Sequence, residues 1–193
     1  WWQLSYRRTD LLKAIAGLPR YLACSRVTSR PILFFVGAGV KPGDALQVFA
    51  FDDDYSFGVL QSKVHIEWFM SKRSNMKSDP RYSSTSVFGT FPWPQHPTVS
   101  RVKEVVEASQ KLQSVRAAAL KTAKGGLRVL YDTLTLPGKN PLRDAHETLD
   151  KAVMSAYGFD NNRDVIAQVL ALNTAVAARI KTGQPVTGPG VPP

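Results

Sequence analysis

Apolar and polar residues follow two different rhythms along this chain. Up to about residue 97 the apolar positions come in short β-branched and aromatic runs, divided by turn residues. Beyond that point they recur every three to four residues among Ala, Leu, Lys and Glu. The change of rhythm predicts an α+β fold class in three stretches. A small mixed α/β domain spans 1–97, an all-α helical C-terminal segment spans 98–182, and a flexible Pro/Gly-rich tail spans 183–193.

In the first stretch, Thr9-Asp10 opens a short helix with Leu11, Leu12, Ile15 and Leu18 at helical spacing, stopped by Gly17 and Pro19. Ile32 to Val36 reads as a buried strand between Pro31 and Gly37. Ala45 to Phe51 reads as the next strand, so 31–51 is expected to form a hairpin with a long loop. A helix is expected over Ser62 to Met70 and a short strand over Ser86 to Phe88. In the second stretch, Thr98 or Ser100 caps a long helix striped by Val102, Val105, Val106, Leu112, Val115, Ala119 and Leu120. Gly125-Gly126 breaks it, and 127–131 makes an extra turn. Pro141 starts a further helix, ended by Gly158, and Asn162 is the expected cap of a last helix running to Ile180.

Charge narrows the choice of partner. The 193 residues carry 25 Lys and Arg against 15 Asp and Glu, a formal net charge of +10. With 44% hydrophobic residues the chain can bury a core, so it is not a disordered basic tail. The excess favours a polyanion, either nucleic acid or an anionic membrane surface. No stretch approaches the roughly 20 apolar residues of a spanning helix. The start, Trp1-Trp2-Gln3-Leu4, has neither a basic leader nor an apolar signal region. The single cysteine, Cys24, fits a reducing compartment, and a cytoplasmic location is expected. The chain does not begin with Met and reads as a piece of a longer protein.

Few residues offer chemistry. The glycines of 37–39 lack the third glycine and the following helix of a dinucleotide fingerprint, and read as a turn. Asp52-Asp53-Asp54 reads as a strand-end turn rather than a cation site, because consecutive carboxylates on an extended chain point apart. His65, His96 and His146 have no zinc spacing, and His65 reads as a packed core histidine. No catalytic residue and no metal ligand is assigned. Two basic clusters remain. Arg20, Arg26 and Arg30 interleave with Ser25 and Thr28, a composition suited to phosphate oxygens of a DNA backbone. Residues 72–82 hold Lys72, Arg73, Lys77 and Arg81 around one acid, Asp79. Lys77 and Asp79 lie two apart and so face one side of an extended segment. A lysine donates to guanine O6/N7 and a carboxylate accepts from cytosine N4, so the pair matches one G·C base pair in the major groove. The alternative is a solvated Lys/Asp pair of negligible energy.

Longer motifs carry a resemblance. LLKAIAGLPRYLACSRVTSRPILFFV, DDDYSFGVLQSKVHIEW, RYSSTSVFGTFPWP and LYDTLTLPGKNPLRDAHETLDKAVMSAYGF, in this order, resemble the C-terminal part of the MmeI-like family of large bacterial type II restriction-modification enzymes. The resemblance implies a parent with nuclease, helical connector and adenine-N6 methyltransferase domains ahead of a target recognition domain. It implies S-adenosylmethionine and Mg²⁺ as cofactors of the parent, with none held here, since neither the methyl-donor motif nor the Asn-Pro-Pro-aromatic motif is present. It makes the implied partners double-stranded DNA and the upstream methyltransferase domain. It places Lys77 and Asp79 at the base-reading positions before the Arg-Tyr-Ser element, Arg81 to Ser83. Lys72, Arg73, Arg81 and the Arg20–Arg30 cluster are left for the DNA backbone or groove. Two competing readings are a basic scaffold domain with incidental charge and an RNA-binding protein; the latter lacks the aromatic sheet motifs and the GxxG clamp of known RNA modules.

Overall fold

The computed structural model describes residues 9–76 and 79–193. Its architecture is α+β, a three-stranded antiparallel sheet and a short hairpin against an array of helices. The centre of the sheet is β1 (Arg20–Ser25), flanked by β2 (Phe34–Gly37) and β3 (Leu46–Phe49) in the order β2-β1-β3. This corrects the expected 31–51 hairpin: β2 and β3 both pair with β1, with Leu22 opposite Phe35 on one side and Phe49 on the other. Tyr21 to Cys24 are all buried because both faces of β1 are covered. Leu22 and Cys24 enter the main core, while Tyr21 and Ala23 meet Ile15 and its neighbours on α1 (Thr9–Ile15). A strand buried on both faces shows no polar alternation, so the sequence pattern predicts no strand here.

The Asp52–Asp54 run launches the next helix, α2 (Asp54–Gln61). Asp53 is its N-cap, accepting from Ser56 N–H at 2.6 Å. Every residue from Tyr55 to Gln61 is buried, so α2 is a core helix with no solvent stripe. Next comes α3 (Lys63–Lys72), whose first backbone N–H donates to Asp150 Oδ1 at 2.6 Å, a cap supplied from elsewhere in the fold. Strands β4 (Ser74–Met76) and β5 (Asp79–Arg81) form an antiparallel hairpin. Residues 84–88 form a π-helical turn where a strand was expected, with Ser83 Oγ accepting from Ser86 N–H at 3.2 Å. A serine at a cap position offers the backbone a local partner that competes with strand pairing.

The helical part consists of α4 (Val99–Thr122), α5 (Leu127–Asp132), α6 (Pro141–Tyr157) and α7 (Val165–Lys181). Thr98 caps α4 and Asn140 caps α6 through the N–H groups of Leu142 and Arg143. Gly158 closes α6 at φ 68, the left-handed conformation that favours glycine. The cap of α7 is Asp164, which accepts from Ala167 N–H at 2.8 Å, and not the expected Asn162, which lies two residues earlier. Gly58 on α2 marks the closest approach to this part. A β-carbon there would lie 2.8 Å from Val105 Cγ1 on α4 and 3.2 Å from Leu149 Cδ1 on α6. One core runs from Leu22 through Phe57, Trp68, Val105 and Leu149 to Val169, so the sheet and the helices are packed on shared side chains. In the closing segment, expected to be flexible, Thr187 N–H donates to Gln95 Oε1 at 3.0 Å and Thr187 O accepts from Gln95 Nε2 at 3.0 Å. Among the described residues no helix is long and apolar enough to cross a membrane.

Candidate nucleic-acid interface

The 72–82 segment reverses direction rather than running extended. Ser74 pairs with Arg81, Asn75 with Pro80 and Met76 with Asp79. Lys77 lies outside the described residues, and so does the side chain of Asp79. Asp79 opens the second arm of this hairpin, and the expected same-side relation of Lys77 and Asp79 lies outside the described residues. Arms as short as Ser-Asn-Met and Asp-Pro-Arg carry no strand pattern of their own, and an isolated hairpin of this length is unstable in water. Its support comes from the stretch after β1. Arg26 O accepts from Tyr82 N–H at 2.8 Å, Val27 bridges to Arg81, and Thr28 N–H donates to Pro80 O at 3.0 Å. Arg26 N–H donates to Ala45 O at 2.8 Å, which carries the main sheet into this crossing. The two basic clusters of the sequence are thus bonded side by side.

Aromatic packing holds the hairpin's base. Tyr82 is fully buried, stacked on Phe69 at 5.6 Å and edge-on to Phe49 at 5.6 Å. His65 Nδ1–H donates to Leu60 O at 2.6 Å, so Nε2 is left to accept from the Tyr82 hydroxyl at 2.9 Å. Burial lowers the His65 pKa to about 4, with the Leu60 hydrogen bond opposing, so the ring is neutral at pH 7. The expected packed-core role for His65 is the one observed. Phe91 is buried edge-on to it, Trp93 is buried against Phe91, and the Tyr157 hydroxyl donates to Pro92 O at 2.8 Å.

The arginines divide by role. Arg20 is spent within the fold. Its Nε donates to Asp52 O at 2.9 Å, Nη2 pairs with Asp54 Oδ1 at 3.1 Å, and the guanidinium lies 3.6 Å from the Phe35 ring centroid. Burial would raise the Asp54 pKa, but hydrogen bonds from Gln113 and Gln110 and the charge of Arg20 win and lower it. Arg20, expected from sequence to serve phosphate, forms with Asp54 a bracket between the sheet and α4. Ser25 sits on the exposed end of β1, its hydroxyl donating to Val27 O at 2.8 Å. Thr28 Oγ1 folds back on Arg30, accepting its N–H at 3.1 Å. The Arg30 guanidinium lies 5.4 Å from the Tyr131 ring centroid. Lys72 is exposed at the end of α3, its ammonium 4.9 Å from the Trp68 ring, and Arg73 Nη1 reaches Met70 Sδ at 3.2 Å. Arg26, Arg30, Arg73 and Arg81 are half-buried, and Arg81 makes contacts besides its backbone pairing.

Sequence reasoning passed over Arg116. It is buried on α4, donating to Leu33 O at 2.5 Å, to Gln61 Oε1 at 3.1 Å and to the Tyr131 hydroxyl. It forms no ion pair among the described residues, and the faces of Phe57 and Tyr131 lie 5.4 and 5.2 Å from it. Gln61 also accepts from Leu33 N–H at 2.8 Å, so one polar knot ties β2's approach to the helices. His146 Nε2 joins it, 3.0 Å from the Tyr131 hydroxyl. Burial first, then the charges of Arg116 and Arg30, push the His146 pKa down to about 3. No cluster of His, Cys, Asp or Glu among the described residues could hold a metal.

Comparison with known proteins finds matches to two stretches of the chain. Residues 21–95 match the family model described as "MmeI, target recognition domain", and 99–181 match "MmeI, C-terminal domain". Among curated relatives, DNA methyltransferase A of Bacillus subtilis (strain 168) is 31% identical over 128 residues, which is 65% of this chain and 14% of that protein. Among solved structures, the type IIL restriction-modification enzyme MmeI in complex with DNA superposes with a TM-score of 0.73 at 27% identity, over 84% of this chain and 22% of that one. The chain thus spans less than a quarter of the length of the relatives it matches.

Proposed function

Because the chain belongs to the MmeI family, as its target recognition domain followed by its C-terminal domain, we propose that it is the sequence-reading module of a longer restriction-modification enzyme. It grips duplex DNA and presents a target base to a methyltransferase domain in the same protein. The observation that carries this is the bonding of the 26–28 stretch to β5, which fixes a basic hairpin at the edge of a rigid frame. A reading element needs such a frame, since a shift of about 1 Å at its base would spoil hydrogen bonds to base edges.

Lys77 and Asp79 are the base-reading pair in this proposal. Support for this reading is that Asp79, paired with Met76, opens the second arm of the hairpin. Lys77 donates to guanine O6/N7 and Asp79 accepts from cytosine N4. Lys72, Arg26, Arg30, Arg73 and Arg81 lie close enough in the chain pairing to serve phosphates, which position a protein without reading sequence. The parent is a DNA methyltransferase in this reading, with adenine-N6 as the methylated atom and endonuclease activity elsewhere in the protein. S-adenosylmethionine and Mg²⁺ belong to those other parts. The described residues do not fit either group: the Gly-rich turn at 37–39 leads to β3 and not to a helix N-terminus, and no carboxylate cluster is formed.

Binding of the intact protein to a DNA duplex across a salt series tests this against the scaffold alternative. Several phosphate contacts require log affinity to fall steeply with log salt, by about 0.9 per contact. A flat response contradicts a DNA-binding role and leaves the scaffold.

A further inference from the structure

A cleft of about 720 Å³ opens at the seam between the two parts of the fold. That volume lies within the ~300–1,000 Å³ of ligand clefts. Ser25, Thr28 and Arg30 line one wall, and Leu127, Arg128 and Tyr131 line the other. Arg30 Nε is buried there with no hydrogen-bond partner, although its guanidinium faces the Tyr131 ring. A buried donor left unmade is costly, so the site is short of an acceptor. Arg128 is exposed on α5 across the cleft and forms no hydrogen bond or ion pair among the described residues. The acid among the lining residues, Asp132, is exposed.

The charge around the far wall points the same way. Between Glu107 and Asp132 the chain carries Lys111, Arg116, Lys121, Lys124 and Arg128 and no acid. Arg116 is buried in the polar knot, but the other four are exposed along α4 and at its junction with α5. A helical segment acting only as a prop has no use for an acid-free run at this seam. The near wall continues directly into the 26–28 stretch that is bonded to the hairpin.

We infer that this cleft seats a backbone phosphate of the bound DNA strand, held between Arg30 of the recognition domain and Arg128 of the helical domain. The inference rests on the DNA-reading function proposed above. It makes the C-terminal helices part of the DNA grip: the Arg30 and Arg128 guanidinium groups donate to the phosphate oxygens, and Lys124 adds long-range attraction. Charge-assisted bonds to a phosphate from two walls also hold the two walls together.

The test is the salt dependence of duplex binding by the intact protein carrying Arg128→Ala or Arg128→Glu. Arg128 is exposed, so both variants are expected to keep the unfolding midpoint of the native protein. Arg128→Ala is expected to make the slope of log affinity against log salt shallower by about 0.9, the value for one lost phosphate, and by the same amount for every duplex sequence. Arg128→Glu is expected to weaken binding further. A slope unchanged in both variants overturns the inference while leaving DNA reading intact. A native protein with no salt-sensitive duplex binding removes both. Deoxyadenosine monophosphate and inorganic phosphate provide a second arm. If either raises the unfolding midpoint of the native protein but not of Arg128→Ala, while the duplex slopes stay equal, the cleft takes a free phosphate and the strand assignment is overturned.

Discussion

His65, His146 and Asp150 are titratable groups whose surroundings oppose their charged forms, and they pull stability in two directions. The histidines have pKa values near 4 and 3 in the fold, against 6.5 unfolded. Between those limits the unfolded chain binds more protons, so stability falls as pH drops below about 6.5. Burial raises the Asp150 pKa from 3.8 to about 6, with the Lys63 N–H bond opposing. Here the folded chain binds more protons between 3.8 and 6, so this group adds stability as pH falls through 6. The two histidine shifts together exceed the one carboxyl shift. The thermal midpoint, followed through buried Trp68 and Trp93, is therefore expected to decline from pH 6.5 to pH 4. In Asp150→Asn an amide oxygen still accepts from Lys63 N–H, the decline becomes steeper, and the midpoint at pH 7 is unchanged or higher. A midpoint that rises on acidification contradicts this assignment. Arg116 is the counterpart among bases: burial lowers its pKa, with the Tyr131 contact opposing, and carbonyl, amide and hydroxyl oxygens stand in for a counter-ion.

Among the elements, α2 packs closely against α4 and α6 at Gly58. Gly58→Ala places a methyl group against Ser109 Oγ, Val105 and Leu149. Overpacking of this kind costs about 1–3 kcal/mol, read as a lower midpoint in urea unfolding. Gly17→Ala, with open space at its β-carbon, is the matched control and is expected to change stability by no more than about 0.5 kcal/mol. The long helices were legible because Val105, Leu112, Leu149, Val153 and Val169 recur with the helical period and are buried as that period demands. Strand β1 was not, because Tyr21 to Cys24 are buried on both faces and lie between arginines. The available signal was four apolar residues in a row between Pro19 and Ser25. The β4–β5 hairpin was not legible for a different reason. Its arms, Ser-Asn-Met and Asp-Pro-Arg, are set by pairing with residues some 50 positions earlier in the chain, and no local pattern records that.

At the scale of the whole molecule, recognition and helical parts share one core and one polar knot, and the β4–β5 hairpin is bonded to the sheet side of that frame through 26–28. Tyr131 contributes to both the knot and the proposed phosphate cleft, which connects DNA grip to the joint between the parts. The candidate site was partly legible: the basic clusters and the lone acid stood out in composition, but their adjacency comes only from the 26–28 pairing with β5. The family resemblance in the sequence located the recognition and C-terminal domains, and both matches agree with it. The central claim is that this chain chooses a DNA sequence through the hairpin that contains Lys77 and Asp79. The most direct measurement is selection of bound duplexes from a random pool by the intact protein, repeated with the double exchange Lys77→Asp and Asp79→Lys. The account predicts one short asymmetric motif with a fixed G·C pair, and a change confined to that pair in the exchanged protein. A pool that shows no enriched motif, or an identical motif after the exchange, would contradict it.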